Sequence, residues 1–279
     1  MTVHMAIELF KEHQKNSARD KTRESYSHLL RNLEAGFSDC VLDSIASQDL
    51  YQFFITLTEG RAKNTARLRY AQLKAFFTFF IDRTHASLKN PCDDPLLSKT
   101  FRAPRMKQRS IIGREVIDEI IYRCDSPRDR LMLELQARCG MRIGEVLGLK
   151  ASDVNGRRLN IRRPKSGSEE ESAFMRETLA ERVRAYLEAQ NLRGDERLFP
   201  ISYSTARSCI KKLGEEINLK VRPHDLRRHS ATYASRNGVP LEVISKVLLR
   251  HQDLKTTQMY LGKISDAEAL RWMDTLHGK

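Results

Sequence analysis

The chain has 279 residues, of which 40% are hydrophobic, which is enough for one large domain or two ordinary ones. Its formal net charge is +13, and most of that positive charge lies after residue 100. A balance this basic is typical of proteins that bind nucleic acid, although a basic protein that is merely soluble has the same composition.

The cysteines and the apolar runs exclude several classes of protein. The five cysteines are widely spaced and form no CxxC pair, which argues against a disulfide framework and against a structural zinc site. The N-terminal residues are too polar for a signal peptide, and no apolar run approaches the roughly 20 residues that span a membrane. We therefore expect a cytoplasmic protein without a membrane partner.

Residues 1–100 carry four stripes at helical spacing and no alternating strand pattern. Ser47 and the pair Asn64-Thr65 are predicted to cap the third and fourth helices, and Asn90-Pro91 marks a loop after them. The members of the stripes are Ala6, Ile7, Phe10 and His13; Tyr26, Leu29, Leu30 and Leu33; Leu50, Phe53, Phe54 and Leu57; and Tyr70, Leu73, Phe76, Phe77 and Phe80. These patterns predict a helical domain over residues 1–100.

Basic residues in this domain and just after it are candidates for contact with phosphate, although a solvated helix face explains those of the domain about as well. The candidates in the domain are Arg61, Lys63 and Arg67. The candidates in residues 101–112, a stretch without acidic residues, are Arg102, Arg105, Lys107 and Arg109. This composition predicts a basic linker over residues 101–112, followed by a second domain over residues 113–279.

The second domain mixes helical patterns with a predicted β-hairpin. Helices are indicated at residues 116–121, 131–135, 143–147 and 177–190. Residues 158–163 alternate as a strand does, residues 164–168 have turn composition, and residues 172–175 supply a return strand. Helical patterning continues to the end with a break at Gly238. The sequence therefore predicts a mainly α fold with a small antiparallel β-sheet in the C-terminal domain.

Two basic residues of this domain are candidates for binding an anion. Arg142 follows a glycine break at a predicted helix start, where the guanidinium and the helix N-terminus both favour an anion. An ion pair between Arg142 and Glu145 is the alternative. Lys165 lies at the predicted hairpin tip, where a flexible ammonium can enter a groove, but where ordinary exposed lysines are also common.

A denser set of candidates lies later in the chain. If residues 223–229 are helical, His224 and Arg227 share one face, which suits phosphoryl chemistry as well as it suits a plain basic surface. Arg228 and His229 point elsewhere and are expected at the surface. His251 and Tyr260, taken singly, are most simply structural residues.

Taken in order, these residues resemble the tyrosine recombinase family, which includes phage integrases and Xer-like site-specific recombinases. The segments GMRIGEVLGLKASDV, HDLRRHSATYASRNG and VLLRHQDLKTTQMY each look like one motif box of that family. Three boxes in the family's order are far more specific than any one of them. The resemblance covers nearly the whole chain, and residues 1–100 look like the family's core-binding domain.

The resemblance implies a nucleophile and two charge-stabilising groups. Tyr260 would attack the scissile phosphate, forming a 3′-phosphotyrosyl bond and freeing a 5′-hydroxyl. Arg142 and Arg227 would stabilise the pentacoordinate transition state. An unperturbed tyrosine has a pKa of about 10, so it needs cations or a base to attack at neutral pH. The basic cluster supplies both, so we expect no metal and no other cofactor.

The resemblance implies supporting roles for the remaining motif residues. Lys165 would protonate the leaving 5′-oxygen, and His224 would assist proton transfer to and from the tyrosine. His251 would hydrogen-bond the phosphate. Glu145 would orient the basic side chains.

One position departs from the family pattern. The family usually has glycine immediately before the second histidine, where this chain has Arg250. Glycine there suits a left-handed helix end or a close approach to DNA, and arginine would cost on the order of 1 kcal/mol in that conformation. Arg250 could compensate by contacting phosphate. The hairpin is also acidic after its tip, at Glu169, Glu170 and Glu171, which would either tune Lys165 or be solvated.

The resemblance further implies a two-domain C-shaped clamp around double-stranded DNA and a homo-tetramer on two duplexes, with accessory proteins as an option. A tail stripe would either pack on its own domain or exchange with a neighbouring protomer. Its members are Ile264, Ala267, Leu270, Met273 and Leu276.

Three other classes remain as alternatives. A type IB topoisomerase would share the tyrosine chemistry but act as a monomer that relaxes supercoils. A non-catalytic DNA-binding relative is opposed by the filled catalytic positions, and a generic RNA-binding protein by the lack of a recognisable RNA module. Integration, excision and chromosome or plasmid resolution are all open as the biological task.

Overall fold

The computed structural model of the chain describes residues 1–84, 89–102, 111–162, 170–258, 260–261 and 266–277. Its two compact units are Met1–Lys107 and Gln108–Lys279. Most of the predicted linker lies outside the described residues, and so does the predicted hairpin tip with Lys165. Within the described part of the chain, no helix has the length and apolar character needed to cross a bilayer.

The first unit packs helices around an aromatic core. Its helices are α1 (Val3–Ser17), α2 (Asp20–Phe37), α3 (Ser47–Thr58), α4 (Lys63–Thr84) and α5 (Pro95–Thr100). Phe10, Phe54 and Phe76 are buried, and the rings of Phe10 and Phe76 meet edge to face with centroids 5.3 Å apart. Burying such rings removes a large apolar area from water, which stabilises a unit this small. All four predicted stripes lie on helices α1 to α4.

The starts of α3 and α4 differ from the predicted caps. Ala46 precedes α3, and its N–H donates to the Asp49 carboxylate at 2.9 Å. Ser47 is already helical, and its hydroxyl donates to the Pro91 carbonyl at 3.0 Å. Helix α4 begins one residue before the predicted cap pair. The Ser47 hydroxyl is therefore used by a tertiary contact that the local sequence does not contain.

The second unit packs helices against a small antiparallel sheet. The helices before the sheet are α6 (Arg114–Tyr122), α7 (Pro127–Cys139) and α8 (Ile143–Gly148). The strands β1 (Val154–Asn155), β2 (Arg158–Arg162) and β3 (Glu170–Phe174) lie in the order β1-β2-β3. The helices after the sheet are α9 (Glu177–Ala189), α10 (Tyr203–Glu215), α11 (Pro223–Arg236), α12 (Leu241–Val243), α13 (Leu254–Gln258) and α14 (Asp266–His277).

The predicted fold class, mainly α with a small antiparallel sheet, is confirmed. In the sheet, Leu159 of β2 pairs with Ala173 of β3, and both are buried. The return strand begins at Glu170, two residues before the predicted start. Burial of alternate residues on one face fixes this register, because a one-residue slip would expose Leu159.

Helix α7 lies at the centre of the second unit. Met132, Leu133 and Leu135 are all fully buried, so the helix is apolar on more than one side, as a central helix must be. Helix α11 packs directly against it. This pairing sets the start of α11 beside the turn that follows α7.

That turn depends on Gly140, which ends α7 in the left-handed conformation with a φ of 59°. A Cβ at this position would lie 2.9 Å from the Leu248 carbonyl oxygen. Both the backbone conformation and the available space therefore require glycine. Because the turn is tight, α8 begins at Ile143, only three residues after Gly140.

Candidate active site

Arg142 precedes α8 and is held by the carboxylate of Glu145. The Arg142 backbone N–H donates to Oε2 at 2.8 Å, and its Nη1 donates to Oε1 at 2.5 Å. The same carboxylate accepts Nη2 of Arg250 at 2.8 Å, and Nη1 of Arg227 lies 3.9 Å from Oε2. Burial alone would raise the pKa of Glu145, but Arg250 and Arg142 outweigh it and lower that pKa. The ionised carboxylate of Glu145 therefore forms ion pairs with three arginine side chains.

Arg227 extends from α11 into this cluster and is 1% exposed. Its Nη1 donates to the Gly140 carbonyl and its Nη2 to the Leu249 carbonyl. Burial, reinforced by Arg142, lowers the pKa of Arg227 to about 10, so the guanidinium is still charged at neutral pH. Its Nε is buried and finds no acceptor among the residues that the structure describes. Backbone carbonyls thus fix a buried charge that keeps one donor for a ligand.

His251 has a polar partner at each ring nitrogen. Nδ1 lies 2.9 Å from Oγ1 of Thr257, which donates onward to Oγ of Ser245 at 2.9 Å. Nε2 lies 3.2 Å from Nη2 of Arg227. Because a guanidinium only donates, Nε2 accepts and the proton of the neutral ring is assigned to Nδ1. Burial first, and then Arg227, lower the pKa of His251 to about 4, so the ring is neutral at neutral pH.

The Tyr260 hydroxyl lies 2.8 Å from Nε2 of His224 at the start of α11. The rings of His224 and His251 lie 4.9 Å and 5.0 Å from the tyrosine ring, centroid to centroid. The guanidinium carbon of Arg227 is 6.0 Å from the same ring centre. The hydroxyl therefore lies within hydrogen-bond distance of a ring nitrogen, which accepts its proton when the neutral histidine carries its own proton on Nδ1, and nucleophilic attack by a tyrosine requires such an acceptor.

The prediction that Arg228 and His229 are surface groups is wrong. Arg228 is 9% exposed and His229 is 3% exposed. Nε of Arg228 and the hydroxyl of Thr232 both donate to the Tyr260 carbonyl at 3.2 Å, while Nδ1 of His229 lies 2.9 Å from the Ile112 carbonyl. Helix α11 thus anchors the backbone of the tyrosine. The four-residue spacing of Arg228 and Thr232, which puts them on one helix face, is the sequence signal for this pair.

The candidate phosphate contacts fall into three groups. Arg61, Lys63, Arg67 and Arg102 are exposed on the first unit. Arg67 and Arg102 line one groove beside α4. Arg105, Lys107 and Arg109 lie outside the described residues. Arg250 differs from all of these, because its side chain is 4% exposed and bound to Glu145. A contact between Arg250 and phosphate would need this ion pair to open.

The structure brings together five of the predicted catalytic residues: Arg142, His224, Arg227, His251 and Tyr260. Lys165 lies outside the described residues, so its place beside them stays a prediction. Within the residues described, no group of three histidine, cysteine, aspartate or glutamate side chains is arranged to hold a metal ion.

Comparison with known proteins assigns this constellation to a class of enzyme. The model of the phage integrase family matches residues 112–265, a range that contains every residue of the cluster. The chain belongs to the phage integrase family of tyrosine recombinases, which break and rejoin DNA at specific sites.

The relatives of the chain include Xer recombinases of archaea and bacteria. Tyrosine recombinase XerA of Saccharolobus solfataricus is 26% identical over 228 residues, which cover 80% of this chain and 76% of the relative. Tyrosine recombinase XerA of Pyrococcus horikoshii is 29% identical over 245 residues, covering 84% and 79%. Tyrosine recombinase XerD of Proteus mirabilis is 29% identical over 237 residues, covering 78% and 74%.

Solved structures share the fold of the chain. The Tn1549 transposon integrase in complex with transposon right end DNA matches with a TM-score of 0.77 at 17% identity, covering 100% of both chains. A lambda integrase dimer bound to a core site matches with a TM-score of 0.73 at 19% identity, covering 93% of this chain and 95% of that one. At such identities the likeness shows the fold alone.

Proposed function

We propose that this site-specific recombinase cuts double-stranded DNA with Tyr260 and rejoins it through a 3′-phosphotyrosyl intermediate. The observation that carries the proposal is the 2.8 Å distance between the Tyr260 hydroxyl and Nε2 of His224. Beside this pair lies Arg227, a charged group that is 1% exposed. A nucleophile, a proton acceptor and a fixed cation are the parts that phosphoryl transfer needs.

In the proposed reaction, His224 accepts the hydroxyl proton while the Tyr260 oxygen attacks phosphorus. The new O–P bond forms as the bond to the 5′-oxygen breaks, and Lys165 protonates that leaving oxygen. Arg142 and Arg227 stabilise the charge that develops on the non-bridging oxygens. Because the phosphotyrosine retains the bond energy, the reverse attack by a 5′-hydroxyl restores DNA without ATP.

His251 would donate to the phosphate only after a change of protonation. Nε2 of His251 accepts from Arg227 in the structure, so that nitrogen carries no proton. A bound phosphate raises the pKa of a neighbouring imidazole, because an anion favours the charged form. We therefore assign His251 as a donor that is protonated on substrate binding.

The proposed partners are duplex DNA and further copies of the chain. A formal net charge of +13 supports strong phosphate binding that weakens as salt rises. On α14, Leu270 is 67% exposed and Met273 is 50% exposed, while Trp272 lies 3.2 Å from where a Cβ on Gly238 would be. An apolar face left open on a tail helix supports docking on a neighbouring protomer of a tetramer. We place this activity in the cytoplasm.

The first test uses nicked suicide duplexes drawn from the genomic neighbourhood of the gene. Cleavage of such a duplex releases a short fragment, so the covalent protein–DNA complex accumulates and is seen by denaturing electrophoresis. We expect the complex with the unmodified chain and none with Tyr260→Phe, which removes only the nucleophilic oxygen.

Tyr122→Phe is the matched control, because that side chain is 81% exposed and lies outside the cluster. This variant should form the complex as the unmodified chain does. A covalent complex that persists in Tyr260→Phe would contradict the proposed nucleophile.

A further inference from the structure

Arg250 occupies a backbone position that suits glycine. Its φ is 53°, in the left-handed region that disfavours any side chain with a Cβ. The side chain nevertheless turns inward and is only 4% exposed. A buried guanidinium on a disfavoured backbone persists only when its contacts compensate, so those contacts indicate its role.

The guanidinium of Arg250 joins three segments of the second unit. Nη2 donates to Oε2 of Glu145 at 2.8 Å, and Nη1 donates to the Leu248 carbonyl at 2.9 Å. Nε lies 3.6 Å from Oε2 of Glu171 in β3. Arg250 thus connects the carboxylate that holds Arg142 with the strand that returns from the hairpin.

The charges at Glu145 give this connection a chemical consequence. An Arg142–Glu145 pair by itself is neutral, and a neutral pair attracts an anion weakly. Arg227, 3.9 Å from the same carboxylate, and Arg250 together add two positive charges beside this pair, and Arg250 supplies one of them. Nη1 of Arg142 binds Oε1 while Nη2 of Arg250 binds Oε2, so both oxygens of the carboxylate are fixed.

We propose that Arg250 is a positioning residue of the cleavage reaction, which holds Glu145 so that Arg142 stays aimed at the phosphate and ties β3 to the same carboxylate. The proposal rests on the proposed function, because only there is Arg142 assigned to the phosphate. It differs from a contact between Arg250 and DNA, which would require the guanidinium to leave both carboxylates.

The test compares Arg250→Gly and Arg250→Lys with the unmodified chain on the suicide duplex. Glycine suits the left-handed backbone, and a thermal melt checks that the fold survives. We expect Arg250→Gly to lower the single-turnover cleavage rate at saturating protein by about tenfold or more, because small misplacements of catalytic groups are costly. Arg250→Lys keeps a charge near Glu145 and should recover part of the rate.

Affinity for the uncleaved duplex separates positioning from binding. It is measured in the Tyr260→Phe background, where no covalent complex forms. We expect the dissociation constant to change by less than about threefold in Arg250→Gly, because loss of a direct phosphate contact would weaken binding more than this.

The pH dependence of the cleavage rate distinguishes a positioning role of Arg250 from a role in stability alone. If Arg250 only stabilised the fold, its loss would leave that pH dependence unchanged. The charged groups that face Glu145 are Arg142, Arg227 and Arg250, and after burial, which raises the pKa of Glu145, the charge of Arg250 is the largest single cause, and it lowers that pKa. Without Arg250, burial has more weight and the pKa of Glu145 rises. In the pH profile of the cleavage rate, the fall on the acid side should therefore occur at higher pH in Arg250→Gly than in the unmodified chain. In Arg250→Lys it should return toward the pH of the unmodified chain.

Two further variants complete the test. Arg182→Ala removes an arginine–glutamate pair of the same 2.8 Å length, between α9 and Glu134 of α7, and should leave the rate and the pH profile unchanged. If Arg250→Gly does not melt cooperatively, Glu171→Gln serves instead, since it weakens the link to β3 at nearly constant size and should lower the rate severalfold.

The outcomes are distinct. A loss of affinity of about tenfold with an unchanged rate at saturation would make Arg250 a DNA contact and overturn the proposal. An unchanged rate and pH profile, in Arg250→Gly or in its substitute, would overturn it as well. If the unmodified chain itself forms no covalent complex, the proposed function fails first and the role of Arg250 fails with it.

Discussion

His251 is neutral because its surroundings supply one acceptor and one donor. The Thr257 hydroxyl accepts a hydrogen bond from Nδ1 of His251, and the Arg227 guanidinium donates one to Nε2. A second proton on the ring would point at Arg227, a group that cannot accept it. Burial and this arginine therefore act in the same direction on the pKa of His251. Under the proposed mechanism the phosphate is the missing acceptor, so DNA binding and protonation of this ring are coupled.

His251→Gln should flatten the dependence of stability on acid pH. The pKa of His251 is about 4 in the folded chain against an ordinary value of 6.5, so the unfolded chain binds more protons between these values. The free energy of unfolding therefore falls as the pH drops from about 6.5 to about 4, by up to about 3 kcal/mol from this ring. Chemical unfolding at several pH values across this window measures the loss.

The control for this measurement is His13→Gln, which alters an exposed histidine of α1. It should lose stability with acid as the unmodified chain does, whereas His251→Gln should lose less. The same pH dependence in all three proteins would count against a buried neutral His251.

At the residue scale, the sequence predicted the motif residues that the structure brings together and the pairing of Arg142 with Glu145, but not the partners that lie far away along the chain. Arg142, Arg227 and Tyr260 could be predicted because the motifs are defined by residue type and by order along the chain, and the sequence shows both directly. The pairing of Arg250 with Glu145 spans 105 residues of chain and depends on a left-handed backbone that only the folded unit shows. The burial of Arg228 is not predictable for a related reason, because its Nε donates to the Tyr260 carbonyl, 32 residues away.

At the scale of elements, the turn between α7 and α8 determines where two of the arginines lie. The turn presents Arg142 at the start of α8, and its Gly140 carbonyl accepts Nη1 of Arg227. The left-handed φ of Gly140 and the nearby Leu248 carbonyl leave no room for a side chain. A shift of this turn would therefore move both arginines at once.

Gly140→Ala should lower both the stability and the cleavage rate. The positive φ costs on the order of 1 kcal/mol, and overlap with the Leu248 carbonyl adds about 1–3 kcal/mol, because backbone atoms cannot rotate away. Gly156→Ala is the matched control, because Gly156 also has a positive φ of 55° but open space around it. Denaturant unfolding should show the larger loss for Gly140→Ala, and equal losses would argue against the close approach.

The elements themselves were largely predictable, and their ends were not. Amphipathic stripes located α1 to α4, and alternation of Leu159 and Ile161 located β2, because burial on one face imposes those periods. The start of α3 was missed because the Ser47 hydroxyl bonds to the Pro91 carbonyl, 44 residues away. Return strand β3 starts early at Glu170, where pairing with Arg162 extends the ladder beyond what alternation predicts.

At the scale of the whole molecule, the tail helix offers a test between the proposed recombinase assembly and a monomeric topoisomerase. Leu270 and Met273 lie three residues apart on one exposed face of α14. Exposing two large apolar side chains is unfavourable in a chain that stays alone, and docking on a neighbour would bury them.

Leu270→Glu combined with Met273→Glu should abolish assemblies that hold two duplexes while leaving cleavage of a single duplex within about threefold, because charged groups resist burial in an interface. Native electrophoresis and light scattering of the protein–DNA complexes measure the assembly. Asp274→Ala, on the same helix, should assemble normally. Unchanged assembly in the double variant would contradict tail docking, and one chain per duplex throughout would favour the topoisomerase alternative.

The bonds of Arg227 have a consequence for how the enzyme is made. They join this side chain to a carbonyl 87 residues earlier and to another 22 residues later, and the tyrosine follows both. A ribosome must therefore release almost the whole second unit before the cationic pocket can close. Under the proposed mechanism, a growing or truncated chain that lacks Tyr260 should be unable to cleave DNA, whatever its basic surface binds.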